Sequence, residues 1–153
     1  MGSNAQRHVR SLGFAEAPER APGEVRLTLP ARPENVPVIR HVLGAFAEAL
    51  RLPKPVVEDA RLAVTEACTN VVRHAYGHGR TGAVEVMMWP DGDRLHVSVT
   101  DHGRGIGPSP DTRGPGLGLP LIAAITDTLE IDHGPHPGSR VAMSFAARPP
   151  EAA

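Results

Sequence analysis

The feature that most constrains this chain is one helical run, residues 56–75. It is fenced by Pro53-Lys54-Pro55 on one side and Gly77-His78-Gly79 on the other. At about 100° per residue, Val56, Ala60, Ala63, Val64, Ala67 and Val71 share an arc about 120° wide, a stripe that has to face a core. Glu66, Asn70 and Arg73 fall together beside that arc, within about 60° of one another. A carboxylate, a carboxamide and a guanidinium can therefore look into one site at the core's edge, although the same flank also suits a solvated helix face. His74 lies inside the arc and is expected to pack. Cys68 lies off the Glu66 face and reads as a small packing residue.

The rest of the chain reads as elements that could supply that core. Residues 1–23 carry Gly, Pro, Ala and Arg without a period and are expected to be a flexible leader. Glu24 to Leu29 alternates as a half-buried strand, with Val25, Leu27 and Leu29 on one face. A first helix is expected from Asn35 to Arg51, with Val38, Ile39, Val42, Leu43, Phe46, Ala49 and Leu50 as its apolar stripe. Pro53 and Pro55 then break the chain. Residues 83–89 and 94–100 read as strands joined by the turn Pro90-Asp91-Gly92-Asp93. Residues 101–118 are rich in glycine and proline and too long for a mere turn. A short helix is expected over 117–126, then strands over 128–132 and 139–146, with 147–153 as a flexible tail. This order predicts one α+β domain, 24–146: a two-layer sandwich of a mixed, mainly antiparallel sheet with its helices on one face.

Composition narrows the function classes. The chain has 153 residues, room for one real core, and a formal net charge of −1. No basic field argues for direct binding of nucleic acid. A single cysteine excludes an internal disulfide and any paired-cysteine metal site. No apolar run is long enough to span a membrane and no signal sequence is evident, so a soluble cytoplasmic protein is expected.

Three short motifs carry the chemistry. Glu66 stands four residues before Asn70 on one helix, where a base can neighbour an oxygen ligand of the kind Mg²⁺ accepts. Asp101-His102-Gly103-Arg104-Gly105 follows a strand. A carboxylate there can accept from an exocyclic amine such as adenine's, and the glycines allow the backbone close to a flat ring, although an Asp-Gly turn has the same appearance. Gly114-Pro115-Gly116-Leu117-Gly118 runs into a helix start, where free amides and the helix dipole favour a phosphate. It matches neither the P-loop nor the dinucleotide fingerprint.

Taken together these motifs resemble the N, G1 and G2 boxes of the GHKL (gyrase, Hsp90, histidine kinase, MutL) ATPases, which implies the Bergerat ATP-binding fold. Glu66-Ala67-Cys68-Thr69-Asn70 through His74-Ala75-Tyr76, with Gly116-Leu117-Gly118-Leu119-Pro120-Leu121-Ile122, resembles the anti-sigma factor serine/threonine kinases of the RsbW/SpoIIAB type. The resemblance implies that Glu66 acts as the catalytic base and that Asn70 holds Mg²⁺ against the ATP phosphates. It implies that Asp101 holds the adenine amine, that Gly103 and Gly105 pass the base, and that Gly116, Leu117 and Gly118 cradle phosphates. Arg73 would lie near phosphate. Ser139 would stand near the adenine pocket, where the family commonly has threonine. Residues 106–113 would form an ATP lid, with Arg104 and Arg113 at its borders. The implied partners are an RNA polymerase sigma factor, an anti-anti-sigma factor of the STAS type as phosphoacceptor, and a second copy of the chain. The alternative is a nucleotide-binding regulatory module that sequesters a partner without kinase activity. A histidine-kinase catalytic domain fits less well, since His41 has no acidic residue after it.

Overall fold

The computed structural model describes residues 23–77, 80–103, 118–133 and 137–146. Expectations for the leader, the tail, the lid with Arg104 and Arg113, and for Gly105, Gly116 and Leu117, lie outside these residues. Five strands form one sheet: β1 (Val25–Pro30), β2 (Ala83–Asp91), β3 (Arg94–Asp101), β4 (Thr128–Asp132) and β5 (Ser139–Ala146), in the order β1-β2-β3-β5-β4. Every neighbouring pair is antiparallel, so the sheet has no mixed pairing.

The register explains the core. Val25, Met88, Val97, Met143 and Leu129 lie opposite one another in one row across the sheet. Leu27, Val86, Val99, Val141 and Ile131 form the next. Because side chains alternate along a strand, both rows face the same way. The third row begins Leu29 and Val84 but continues Asp101 and Ser139. The face that is apolar elsewhere thus ends in a carboxylate and a hydroxyl. The β2–β3 hairpin is tighter than the sequence suggested: Pro90 stays in the ladder opposite Leu95, and Gly92 opens the turn at φ +60.

Helices α1 (Asn35–Ala49), α2 (Lys54–Asn70) and α3 (Gly118–Ile125) cover this face. Helix α1 buries Val36, Ile39, Leu43, Gly44 and Ala47. Its stripe is rotated from the expected one: Val38 is 46 % exposed and Ala49 lies at the surface. The helix closes with Leu52 N–H donating to the Ala47 carbonyl and Arg51 N–H to that of Glu48, with Arg51 at φ +59 in the left-handed position usually given to glycine. Pro53 and Pro55 start α2 rather than delaying it, since a proline in the first turn forfeits only a donor that has no helical partner.

Helix α2 buries Val57, Ala60, Ala63, Val64, Ala67 and Cys68 against the sheet and α1. Val56 is only partly buried. After Asn70 the run does not continue as an α-helix: Val71–Ala75 form a π-turn. Its wider loop advances each residue by less than the α-helical angle of about 100°. Ala75 is thereby turned into the core, and His74, expected to pack, is exposed.

Candidate functional site

The site is built where the third row of the sheet meets the end of the long helix. Asp101 closes β3 at a position facing the core and is 2 % exposed. A buried charge needs partners, and both carboxylate oxygens have one. Oδ1 accepts from the Gly103 N–H at 3.0 Å and Oδ2 from the Ser139 hydroxyl at 2.8 Å. Asp101 and Ser139 are direct cross-strand neighbours, so the ladder itself fixes the second bond. The expected trio Asp101, Gly103 and Ser139 is thus one hydrogen-bonded unit.

Glycine is required at two points in this unit. Gly103 packs so closely on the π-turn that a Cβ there would lie 1.9 Å from the Ala75 carbonyl oxygen. Gly138, which the sequence marks only as a turn residue ahead of Ser139, has φ +114, and its Cβ would lie 2.1 Å from the Asp101 carbonyl oxygen. The signal was available in the glycine that precedes Ser139, but its meaning depends on a backbone approach that only the β3–β5 pairing creates.

Asn70 ends α2 with its side chain half-buried. It faces the first residue of α3: a Cβ on Gly118 would come within 3.0 Å of Asn70 Nδ2 and 3.2 Å of Oδ1. Glu66 lies one turn earlier, half-buried. Arg73 is exposed on the π-turn and makes no ion pair with another described residue. The π-turn therefore bridges two groups, with Asn70 and Gly118 at its start and Asp101, Gly103 and Ser139 at its end. No three His, Cys, Asp or Glu side chains gather into a metal cage among the described residues. A cation held at Asn70 would take one protein oxygen and complete its shell from phosphates and water, a donor set that suits Mg²⁺.

Tyr76, which closes the motif that begins at Glu66, stands at the hinge of this arrangement. Its hydroxyl donates to the Ala83 carbonyl at 2.6 Å and accepts from the His102 N–H at 3.1 Å. Cys68 is fully buried in the core, and burial pushes its thiol up to about 12, which leaves it no nucleophilic role.

An antiparallel sheet with helices on one face, a buried carboxylate at a strand end and a Glu/Asn pair on the adjoining helix define a class of ATPase domain. Residues 29–145 match the model of the histidine kinase-like ATPase domain. The chain is 37 % identical to the serine-protein kinase RsbW of Bacillus licheniformis, over 76 % of this chain and 83 % of that one. It is 33 % identical to the RsbW of Bacillus subtilis, over 78 % and 83 %. The chain belongs to the histidine kinase-like ATPase family, in its RsbW serine-protein kinase branch. Membership in an ATPase domain family implies ATP as the ligand. The fold is also that of a solved Mycobacterium tuberculosis protein with RsbU and RsbW domains, at TM-score 0.65 and 23 % identity, covering 84 % of this chain and 34 % of that one.

Proposed function

We propose that the protein is an ATP-dependent serine/threonine kinase that binds a sigma factor and phosphorylates an anti-anti-sigma partner of the STAS type. The observation that carries this reading is the Asp101 carboxylate, buried at the end of a sheet face that is apolar in its neighbouring rows, between Val84 on β2 and Ser139 on β5. A charge held there by two donors is organised to accept a third, and the exocyclic amine of adenine is such a donor. Gly103 keeps the backbone low beneath a flat base. Ser139 steadies the carboxylate from β5. Asn70 offers its carboxamide oxygen to Mg²⁺, which when bound neutralises charge on the phosphates. The α3 start at Gly118 offers an amide to phosphate, and the resemblance of the motifs assigns Gly116 and Leu117 to the phosphates and Gly105 to the base. Glu66, one turn before Asn70, orients the attacking hydroxyl and accepts its proton. Arg73 adds a cation on the phosphate side. Support for a protein phosphoacceptor comes from the RsbW relatives, named as serine-protein kinases. We read the protein as a cytoplasmic homodimer. No helix among the described residues is long and apolar enough to cross a membrane.

The test is calorimetric titration with ATP, with and without Mg²⁺, on wild type, Asp101→Asn and Asn70→Ala, followed by phosphotransfer with Glu66→Ala. The expected result is weakened binding in Asp101→Asn, loss of the Mg²⁺ dependence in Asn70→Ala, and loss of transfer with retained ATP binding in Glu66→Ala. A folded wild type that does not bind ATP would overturn the reading. Phosphotransfer that survives Glu66→Ala would remove Glu66 as the base, whereas partner binding unaffected by Glu66→Ala and by removal of ATP, with no transfer, would favour the regulatory module.

A further inference from the structure

We infer that Tyr76 is a positioning residue for the base-recognition carboxylate, acting through the backbone that follows Asp101. The inference rests on the nucleotide reading of the site and extends it to a residue that need not touch the nucleotide.

Three strands of geometry converge on this side chain. Its hydroxyl joins two segments that are remote in sequence, donating to Ala83 at the start of β2 and accepting from the His102 N–H. The His102 amide is one peptide away from the Gly103 amide, which in turn donates to Asp101 Oδ1. A carboxylate is aimed by the donors around it, and this donor can only stay in place if the peptide before it is held. On this strand-end turn Tyr76 supplies that hold. The ring is seated as firmly as the hydroxyl. A Cβ on Gly82 would lie 1.9–2.4 Å from the ring carbons and oxygen-bearing carbon, and one on Gly103 would lie 2.9 Å from Cδ1. Tyr76 is thus clasped between two glycines, one on each segment that it joins.

The π-turn is what brings the ring to this place. Tyr76 is the first residue after it, with extended backbone at φ −119 and ψ 131. An α-helical path over Val71–Ala75 would rotate residue 76 about the helix axis and remove the Ala75 carbonyl from its contact with Gly103. The irregularity in the helix and the aim of the carboxylate are parts of one device.

The measurement is the ratio of affinities for ATP and ITP, whose base carries an oxygen where adenine carries the amine. Tyr76→Phe keeps the ring and removes both hydroxyl bonds. Gly82→Ala keeps the hydroxyl and displaces the ring, and it carries the test if Tyr76→Phe does not fold. With folding confirmed by thermal melting, each variant is expected to lose roughly tenfold of the wild-type preference for ATP, the worth of about one such bond. Binding of ITP should change far less. A generally loosened protein would instead lose both nucleotides in parallel, and that result would overturn the inference, as would an unchanged ratio in the folded variants. A wild type with no ATP binding would overturn the nucleotide reading and this inference with it. Wild-type ATP binding beside an unaltered variant ratio would sink the inference alone.

Discussion

Replacing Ser139 with alanine removes one hydroxyl from a nearly closed environment. Ser139 is 4 % exposed and its acceptor, Asp101, 2 %. Their bond is 2.8 Å long and ends on a carboxylate. Hydrogen bonds to charged groups contribute about 1.5–3 kcal/mol, and water has little access to replace this one. The β3–β5 ladder is untouched, because Asp101 and Ser139 pair through their backbones. Oδ1 also keeps its bond to Gly103. A loss of about 2 kcal/mol is therefore expected, and for a domain of this size it lowers Tm by about 4–8 °C. ATP affinity should fall by roughly three- to tenfold, since the carboxylate keeps one of its two anchors. Ser139→Thr retains the hydroxyl and should restore both quantities. Differential scanning calorimetry of the three proteins, with titration of ATP, decides the matter. An alanine variant melting within about 1 °C of wild type would mean that the hydroxyl adds nothing net, and the account of Asp101 as a tightly held buried anion would be wrong.

Three further outcomes follow from the same structure. Gly138→Ala, forced to φ +114 and against the Asp101 carbonyl, should destabilise by at least about 2 kcal/mol in urea unfolding, and wild-type stability would refute the close approach. Burial holds the His96 imidazole below its ordinary pKa, with Asp91 opposing the shift and Arg94 adding to it. The unfolded chain takes up that proton first, so stability is full above about pH 6.5 and falls as the pH drops below it towards the folded value. His96→Gln should flatten that part of the profile. Cys68, with its thiol pushed up to about 12, should resist iodoacetamide in the native protein at pH 8 and react on unfolding.

Much of the fold was legible because its signals are local. The strands over 128–132 and 139–146 fall where alternation placed them, and the proline and glycine boundaries of the long helix hold to within a few residues. Asp101, Gly103 and Ser139 were each legible as single residues, but their joining into one hydrogen-bonded unit was not. What could not be read depended on partners distant in the chain. The stripe of α1 was rotated because its neighbours, rather than its own periodicity, decide which flank is covered; Val38 belongs to the apolar period yet faces outward. His74 was assigned to the core on a constant angle per residue, and the π-turn breaks that constancy. Tyr76 carried no chemistry in isolation, because its two hydrogen bonds run to residues 83 and 102.

The continuous rows of the sheet have a consequence for how such a chain tolerates insertions and deletions. Asp101 lies at one end of β3 and the Gly92 turn at the other. If β2 and β5 keep their register, one residue added within residues 94–100 turns the carboxylate to the opposite face of the sheet. Two residues keep the face but carry it about 6–7 Å along the strand, past Ser139. Length changes in β3 therefore have no neutral step, whereas a substitution within β3 leaves the register, and with it the face on which Asp101 stands, unchanged. Libraries meant to diversify this protein should vary residue identity in β3 and confine length variation to segments outside the ladder.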